Sequence, residues 1–240
     1  MSFPDLSALH LKPQDDVRTR WLLACGTHPN FMSWKRMRGK HKHALLHSVA
    51  DAADDDESEN GDYLSAYEQR DIDELLAMDL HSVEHVVPRS HVNGGDPGAA
   101  ENDPIGWIVA TRSANSRRSN WPLYLWPDPD SSIAIADTFV RVDGEQHYVP
   151  PLEQRARLAR KWLFIRATYP GISTPSAAQT RRASKIIELA QYWPVQSAEQ
   201  RVNQIYRKNL GWGNPLLEDK PEQWYADAAW CDLIFGAVRH

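Results

Sequence analysis

Two short stretches hold the residues whose types and spacing can do chemistry. The first, Val83-Glu84-His85-Val86-Val87-Pro88-Arg89-Ser90, sets a carboxylate directly beside an imidazole. On an extended segment, adjacent side chains point to opposite faces. One of the pair can then hold a cation while the other faces a substrate, provided the strand curls at its end. The second stretch is Ser113-Ala114-Asn115-Ser116-Arg117-Arg118-Ser119-Asn120. The amide oxygen of Asn115 is a hard ligand, suited to Mg²⁺ rather than zinc. Arg112, Arg117 and Arg118 supply charge for phosphate oxygens. Structural roles remain open beside these: Glu84 and His85 as a buried pair, Asn115 as a helix N-cap (alone or while ligating), and the arginines as solvated helix surface.

These residues need elements to position them. Val83 to Val87 and Trp107 to Thr111 are short β-branched runs that read as strands. Asn93-Gly94-Gly95-Asp96-Pro97-Gly98 between them is loop, and a short helix is expected to begin near Asn115. Strand, loop, strand and helix, with His early and Asn late, is the arrangement of a ββα-metal finger spanning about residues 82–121. Thr138 to Val142 and Gln146 to Val149 flank Asp143-Gly144, a type I′ hairpin signal. Helical periodicity covers 34–50, 63–78 and 152–168. Thr174-Pro175 reads as an N-cap and first-turn pair opening a helix to about Tyr192. Ser197-Ala198-Glu199-Gln200 has capping-box form, and a last helix runs from Pro221 to Gly236. The expected fold class is α+β, a mostly helical single domain around the finger, with residues 1–34 as an N-terminal segment and 35–240 as the domain proper.

Both chemical stretches resemble the endonuclease I family of His-Asn-His nucleases. That family shows Glu-His-x-x-Pro-Lys/Arg-Ser and, later, Asn-x-x-Arg-Ser/Gly-Asn. Glu84 through Ser90 and Asn115 through Asn120 match these, and the approach from Asp103 to Asn115 is similar. Ala156 to Tyr169 resembles a family helix. Trp193, Glu199, Arg201, Asn203 and Asn214-Pro215 resemble its closing segment, and Ala44-Leu45-Leu46-His47 its early helix. The resemblance implies that His85 activates a water for in-line attack on phosphorus. Glu84 and Asn115 would hold one Mg²⁺, or another hard ion such as Mn²⁺, that stabilises the leaving 3′ oxygen. Arg118 joins His85 in the catalytic set, while Arg89, Arg112, Arg117, Asn120, Lys40 and Lys42 contact nucleic acid. The family's second finger motif, commonly His-Asn-Leu, aligns with Ile105-Gly106-Trp107. The asparagine that braces the histidine loop is therefore absent, which leaves that work to backbone groups or to Asn102.

Composition constrains the setting. The chain carries 27 basic and 32 acidic residues in 240, a net charge of −5, so it is no bulk polycation. Seven of the carboxylates lie between Asp51 and Asp62, directly after the basic stretch that holds Lys40 and Lys42. That acidic loop is expected to be solvated or to fold over the basic cleft as an autoinhibitor. His43 and His47 have i, i+4 spacing without a joining cysteine or carboxylate, so a DNA-facing basic helix is expected there rather than a zinc site. Two cysteines give no disulfide framework. With neither a signal peptide nor an apolar run long enough for a membrane span, a cytoplasmic location is expected.

The expected activity is cleavage or nicking of double-stranded DNA with weak sequence preference, since no base-reading helix is recognisable. Phage defence under a regulatory protein partner suits such an enzyme. Two alternatives stay open: an inactive relative that binds nucleic acid or another protein, and an RNase on the same finger. Most of the ten tryptophans read as core, with Trp121 a candidate for stacking on a base.

Overall fold

A computed structural model describes residues 16–26, 65–68, 70, 72–91, 100–101, 103–127, 138–169, 172, 175–218 and 220–236. The expected helix over 34–50 with Lys40 and Lys42, the acidic run 51–62, the loop 93–98 and Asn102 lie outside these residues.

The described elements are α1 (Val17–Cys25), α2 (Ile72–Ala77), β1 (His81–His85), β2 (Trp107–Thr111), α3 (Arg112–Arg118), β3 (Thr138–Val142), β4 (Glu145–Val149), α4 (Leu152–Thr168), α5 (Ala177–Arg181), α6 (Ala183–Tyr192), α7 (Ser197–Leu210), α8 (Glu222–Tyr225) and α9 (Ala228–Phe235). Short 3₁₀ turns occupy Arg89–His91, Pro104–Gly106 and Pro215–Leu217. Among the described residues the class is mixed α/β and mostly helical, with two antiparallel two-stranded sheets, β1–β2 and β3–β4.

Helix α4 is the element on which the others converge, packing against α1, α6, α9 and the Pro104–Gly106 turn. Every residue from Gln154 to Thr168 is buried, so its cations need partners inside the protein. Arg160 pairs with Glu199 at 2.5 Å and donates to the carbonyls of Ala190 and Trp193 at 3.0 and 3.1 Å. It thereby satisfies carbonyls at the end of α6 that have no acceptor role within that helix. Lys161 donates to the Ile105 carbonyl at 2.9 Å. Gly106, the next residue, packs so closely on α4 that an added Cβ would lie 2.6 Å from Ile165 Cδ1. Together these contacts press the Pro104–Gly106 turn, and hence the start of β2, onto α4.

Asp103 caps that turn, accepting from Ile105 N at 2.9 Å, and is wholly buried. Its other oxygen accepts from the Tyr169 hydroxyl at 2.6 Å and Trp212 Nε1 at 3.3 Å. Burial raises its pKa to about 6 against the pull of these donors. A carboxyl whose folded pKa is raised favours the protonated folded state. Its stability contribution therefore falls as pH climbs from about 4 to 6 and is flat above. Wild type minus Asp103→Asn, measured by urea unfolding, is expected to show about 1 kcal/mol of extra stability at pH 5 relative to pH 7. A difference independent of pH would show that Asp103 stays ionised in the fold.

Several elements differ from expectation. The helix expected over 63–78 is present as Ile72–Ala77, preceded by a turn at 66–68. The first strand ends at His85 rather than Val87, because Arg118 takes the Val86 carbonyl at 3.1 Å. The helix expected from Thr174 starts instead after Ser176, whose side chain forms a reciprocal capping box with Gln179, and it breaks at Arg182. Gln196, not Ser197, caps α7, with Glu199 closing the box. The helix expected from Pro221 to Gly236 is two helices, since Asp227 turns its carboxylate onto the amides of Ala229 and Trp230 and caps α9. Asp143-Gly144 forms the expected turn, with φ of +53° and +85°.

Candidate active site

β1 and β2 pair antiparallel with His85 opposite Trp107, Glu84 opposite Ile108 and Ser82 opposite Ala110. Alternation puts Ser82 and Glu84 on one face of β1 and Val83 and His85 on the other. β2 runs straight into α3. Thr111 caps that helix, its hydroxyl accepting from Ala114 N at 3.2 Å while donating to Glu68. The observed order is therefore strand, strand, helix, with α3 laid against β1 and β2.

On the Ser82–Glu84 face, residues three apart on the helix meet residues two apart on the strand. Asn115 Nδ2 donates to Ser82 Oγ at 2.7 Å. Arg118 forms an ion pair with Glu84, and both side chains are almost fully buried. The same guanidinium donates to the carbonyls of His85 at 2.8 Å, Val86 at 3.1 Å and Trp121 at 3.0 Å. One side chain thus ties the end of β1 to the turn after α3. Burial raises the Glu84 pKa, with Arg118 and Tyr67 acting in the opposite direction. Glu84 Oε2 is buried on the side of the Tyr67 hydroxyl. The Glu84 carboxylate and the Asn115 amide supply hard oxygens of the type a divalent cation takes, but the carboxylate is already held by Arg118 and lies beside Tyr67.

On the opposite face, His85 Nε2 lies 2.8 Å from the Glu101 carbonyl. A carbonyl only accepts, so in a neutral ring Nε2 carries the proton and Nδ1 the lone pair. Trp107, the cross-strand neighbour of His85, donates its indole N–H to the same carbonyl at 2.9 Å. Arg89 pairs with the Glu101 side chain at 2.6 Å. Glu101 therefore receives both rings on its backbone and an arginine on its carboxylate. A shallow pocket here is lined by His85, Val87, Arg89, Glu101, Gly106 and Ile165 among others.

The structure gathers Glu84, Asn115 and Arg118 on one side of β1 and His85 and Arg89 on the other. Arg112 is exposed at the start of α3 and pairs with Asp79 at 3.0 Å. Arg117 and Asn120 are exposed at its end. Arg118, grouped by type with these phosphate candidates, has its donors directed into the protein. Three contributors escaped sequence reading. The Glu101 carbonyl is backbone and leaves no residue-type signal. Ser82 sits two residues before Glu84, and that spacing could have found it. Tyr67 comes from a distant segment.

No protein-family model matches this chain, and no curated protein matches it.

Proposed function

We propose that this chain is a metal-dependent DNA endonuclease or nickase on a ββα-metal finger, related to endonuclease I. It hydrolyses phosphodiester bonds of double-stranded DNA with weak sequence preference. The observation that carries this reading is the orientation of His85, with Nε2–H on the Glu101 carbonyl, one residue from a buried carboxylate on the face of β1 that α3 covers. A fixed tautomer aims one nitrogen lone pair, which is what a general base requires. The carbonyl supplies the brace that the absent asparagine at Gly106 would provide. Glu84 and Asn115 would hold Mg²⁺ or Mn²⁺, which on binding stabilises charge on the phosphate and the leaving 3′ oxygen. His85, the last residue of β1, would take the proton of the attacking water on Nδ1, which requires the strand end to bring its side chain round to the phosphate that Glu84 and Asn115 serve. Arg89, Arg112, Arg117 and Asn120 hold phosphates along the exposed edge, and Arg118 acts as a positioning residue through Glu84 and the end of β1. Phage defence under a regulatory protein is the setting this activity suits.

The buried Glu84–Arg118 pair favours a second role. A carboxylate already neutralised by a guanidinium is a poor cation ligand, and the chain would then bind nucleic acid or a protein without cutting. Supercoiled plasmid, linear duplex and RNA incubated with wild type in Mg²⁺, Mn²⁺ or EDTA separate these roles. Nicked or linear plasmid with metal, none with EDTA and intact RNA are expected. RNA cut in preference to DNA would make it an RNase, and no cleavage under any metal would remove the enzyme.

A further inference from the structure

Two large aromatic rings stand exposed together beside α3. Trp121 is 43% exposed and Phe139 41%, with ring centroids 6.5 Å apart and planes at 74°. Burial of apolar surface is the dominant gain in folding, so a paired exposure of this kind needs a reason. Neither ring sits on loose chain. The Trp121 carbonyl accepts from buried Arg118 at 3.0 Å, and its amide donates to the Arg118 carbonyl at 3.2 Å. The next residues join the β3–β4 sheet, with Tyr148 N on the Pro122 carbonyl and Tyr124 N on the Tyr148 carbonyl, both at 2.9 Å. Phe139 rests edge-on against buried Tyr148 at 5.4 Å. Rigid backbone on both sides holds the two rings up to solvent.

Two arginines stand exposed close in sequence to these rings. Arg117 is exposed one helical turn before Trp121, and Arg141 is exposed two residues from Phe139 on the same face of β3. Rings flanked by arginines fit a partner that carries both flat apolar faces and phosphates. Rings set at 74° present an angled apolar surface rather than two parallel faces, a shape that suits one base rather than a base pair within a stack.

Building on the nuclease reading, we propose that Trp121 and Phe139 form a ledge that stacks an unpaired nucleobase of a DNA strand, with Arg117 and Arg141 on the adjoining phosphates. The substrate preferred by the finger is then duplex with a locally opened base: a mismatch bubble, a gap or a strand end. Stacking on an aromatic ring is independent of base identity, which agrees with weak sequence preference.

The test uses full-length His85→Ala protein and fluorescence anisotropy on two labelled oligonucleotides, a perfect duplex and the same duplex with a three-nucleotide mismatch bubble. The bubble is expected to bind roughly 10-fold more tightly, the effect of one stacked base. Trp121→Ala in the same background is expected to abolish that preference and leave perfect-duplex binding within about 2-fold, and Trp121→Tyr to keep it, since only the aromatic face is needed. Equal binding of both DNAs, or a Trp121→Ala loss that is the same for both, overturns the ledge. Trp121-dependent self-association in sedimentation overturns it too, by assigning the rings to a second copy. Plasmid cleavage by wild type reports separately on the parent reading. Cleavage without a bubble preference removes the ledge alone, while absence of both cleavage and binding removes both.

Discussion

Replacing His85 with alanine is expected to slow plasmid cleavage by roughly 10²- to 10⁴-fold, the usual contribution of a positioned general base. Binding of perfect duplex is expected to stay within about 2-fold, because the imidazole acts on water rather than on a phosphate. The geometry makes this loss large. Nε2 is committed to the Glu101 carbonyl, so the ring cannot rotate to let another group act through it, and the exposed cations nearby are protonated arginines that cannot accept a proton. Cleavage would be followed as loss of supercoiled plasmid at saturating protein, and binding by anisotropy with a duplex oligonucleotide. His85→Asn tests the orientation as well, since its amide can donate to Glu101 and yet holds no basic nitrogen; it is expected to be as inactive as alanine and more stable. Equal loss of cleavage and binding in His85→Ala would place the histidine at the DNA surface. Unchanged cleavage would remove it from the chemistry.

The residues that carry this expectation were unequally visible in the sequence. β2 and α4 lie where periodicity placed them, at Trp107–Thr111 and Leu152–Thr168, because each is a continuous run without a competing cap. The Glu84 and His85 side chains fall on opposite faces, as alternation demands. α1 gave no signal: Val17–Cys25 buries Trp21 and Cys25 through tertiary contacts, including the Trp21 indole on Thr168 Oγ1 at 3.0 Å, without an apolar stripe. The break at Arg182 has no glycine or proline to announce it. That residue pairs with Asp143 and lies over the Trp126 ring, 5.4 Å from its centroid. Arg118 shows the same limit at the site. A guanidinium beside a second arginine reads as helix surface, and only the fold brings Glu84 and three carbonyls around it. Local pattern specifies where a side chain points. It does not specify which distant backbone oxygen will meet it.

The Glu84–Arg118 pair decides between nuclease and silent binder, and its removal is expected to have the largest effect on stability. Arg118→Met leaves a buried carboxylate without its cation and three carbonyls without their donor, a loss of about 3–5 kcal/mol by urea unfolding. Adding Glu84→Gln removes the stranded charge, so the double variant is expected to recover part of that loss. Additive losses would show that the two side chains do not interact. Divalent cation gives the functional answer. If Glu84 is a metal ligand, Arg118 competes with the cation for one carboxylate. Mg²⁺ should then stabilise Arg118→Met more than wild type, and should stabilise the Glu84→Gln variants of both less. The comparison also separates a specific site from general ionic screening, which acts on all four proteins alike. A Mg²⁺ response that ignores residue 84 would leave the pair purely structural, and the chain would be a binder of nucleic acid or protein rather than a nuclease.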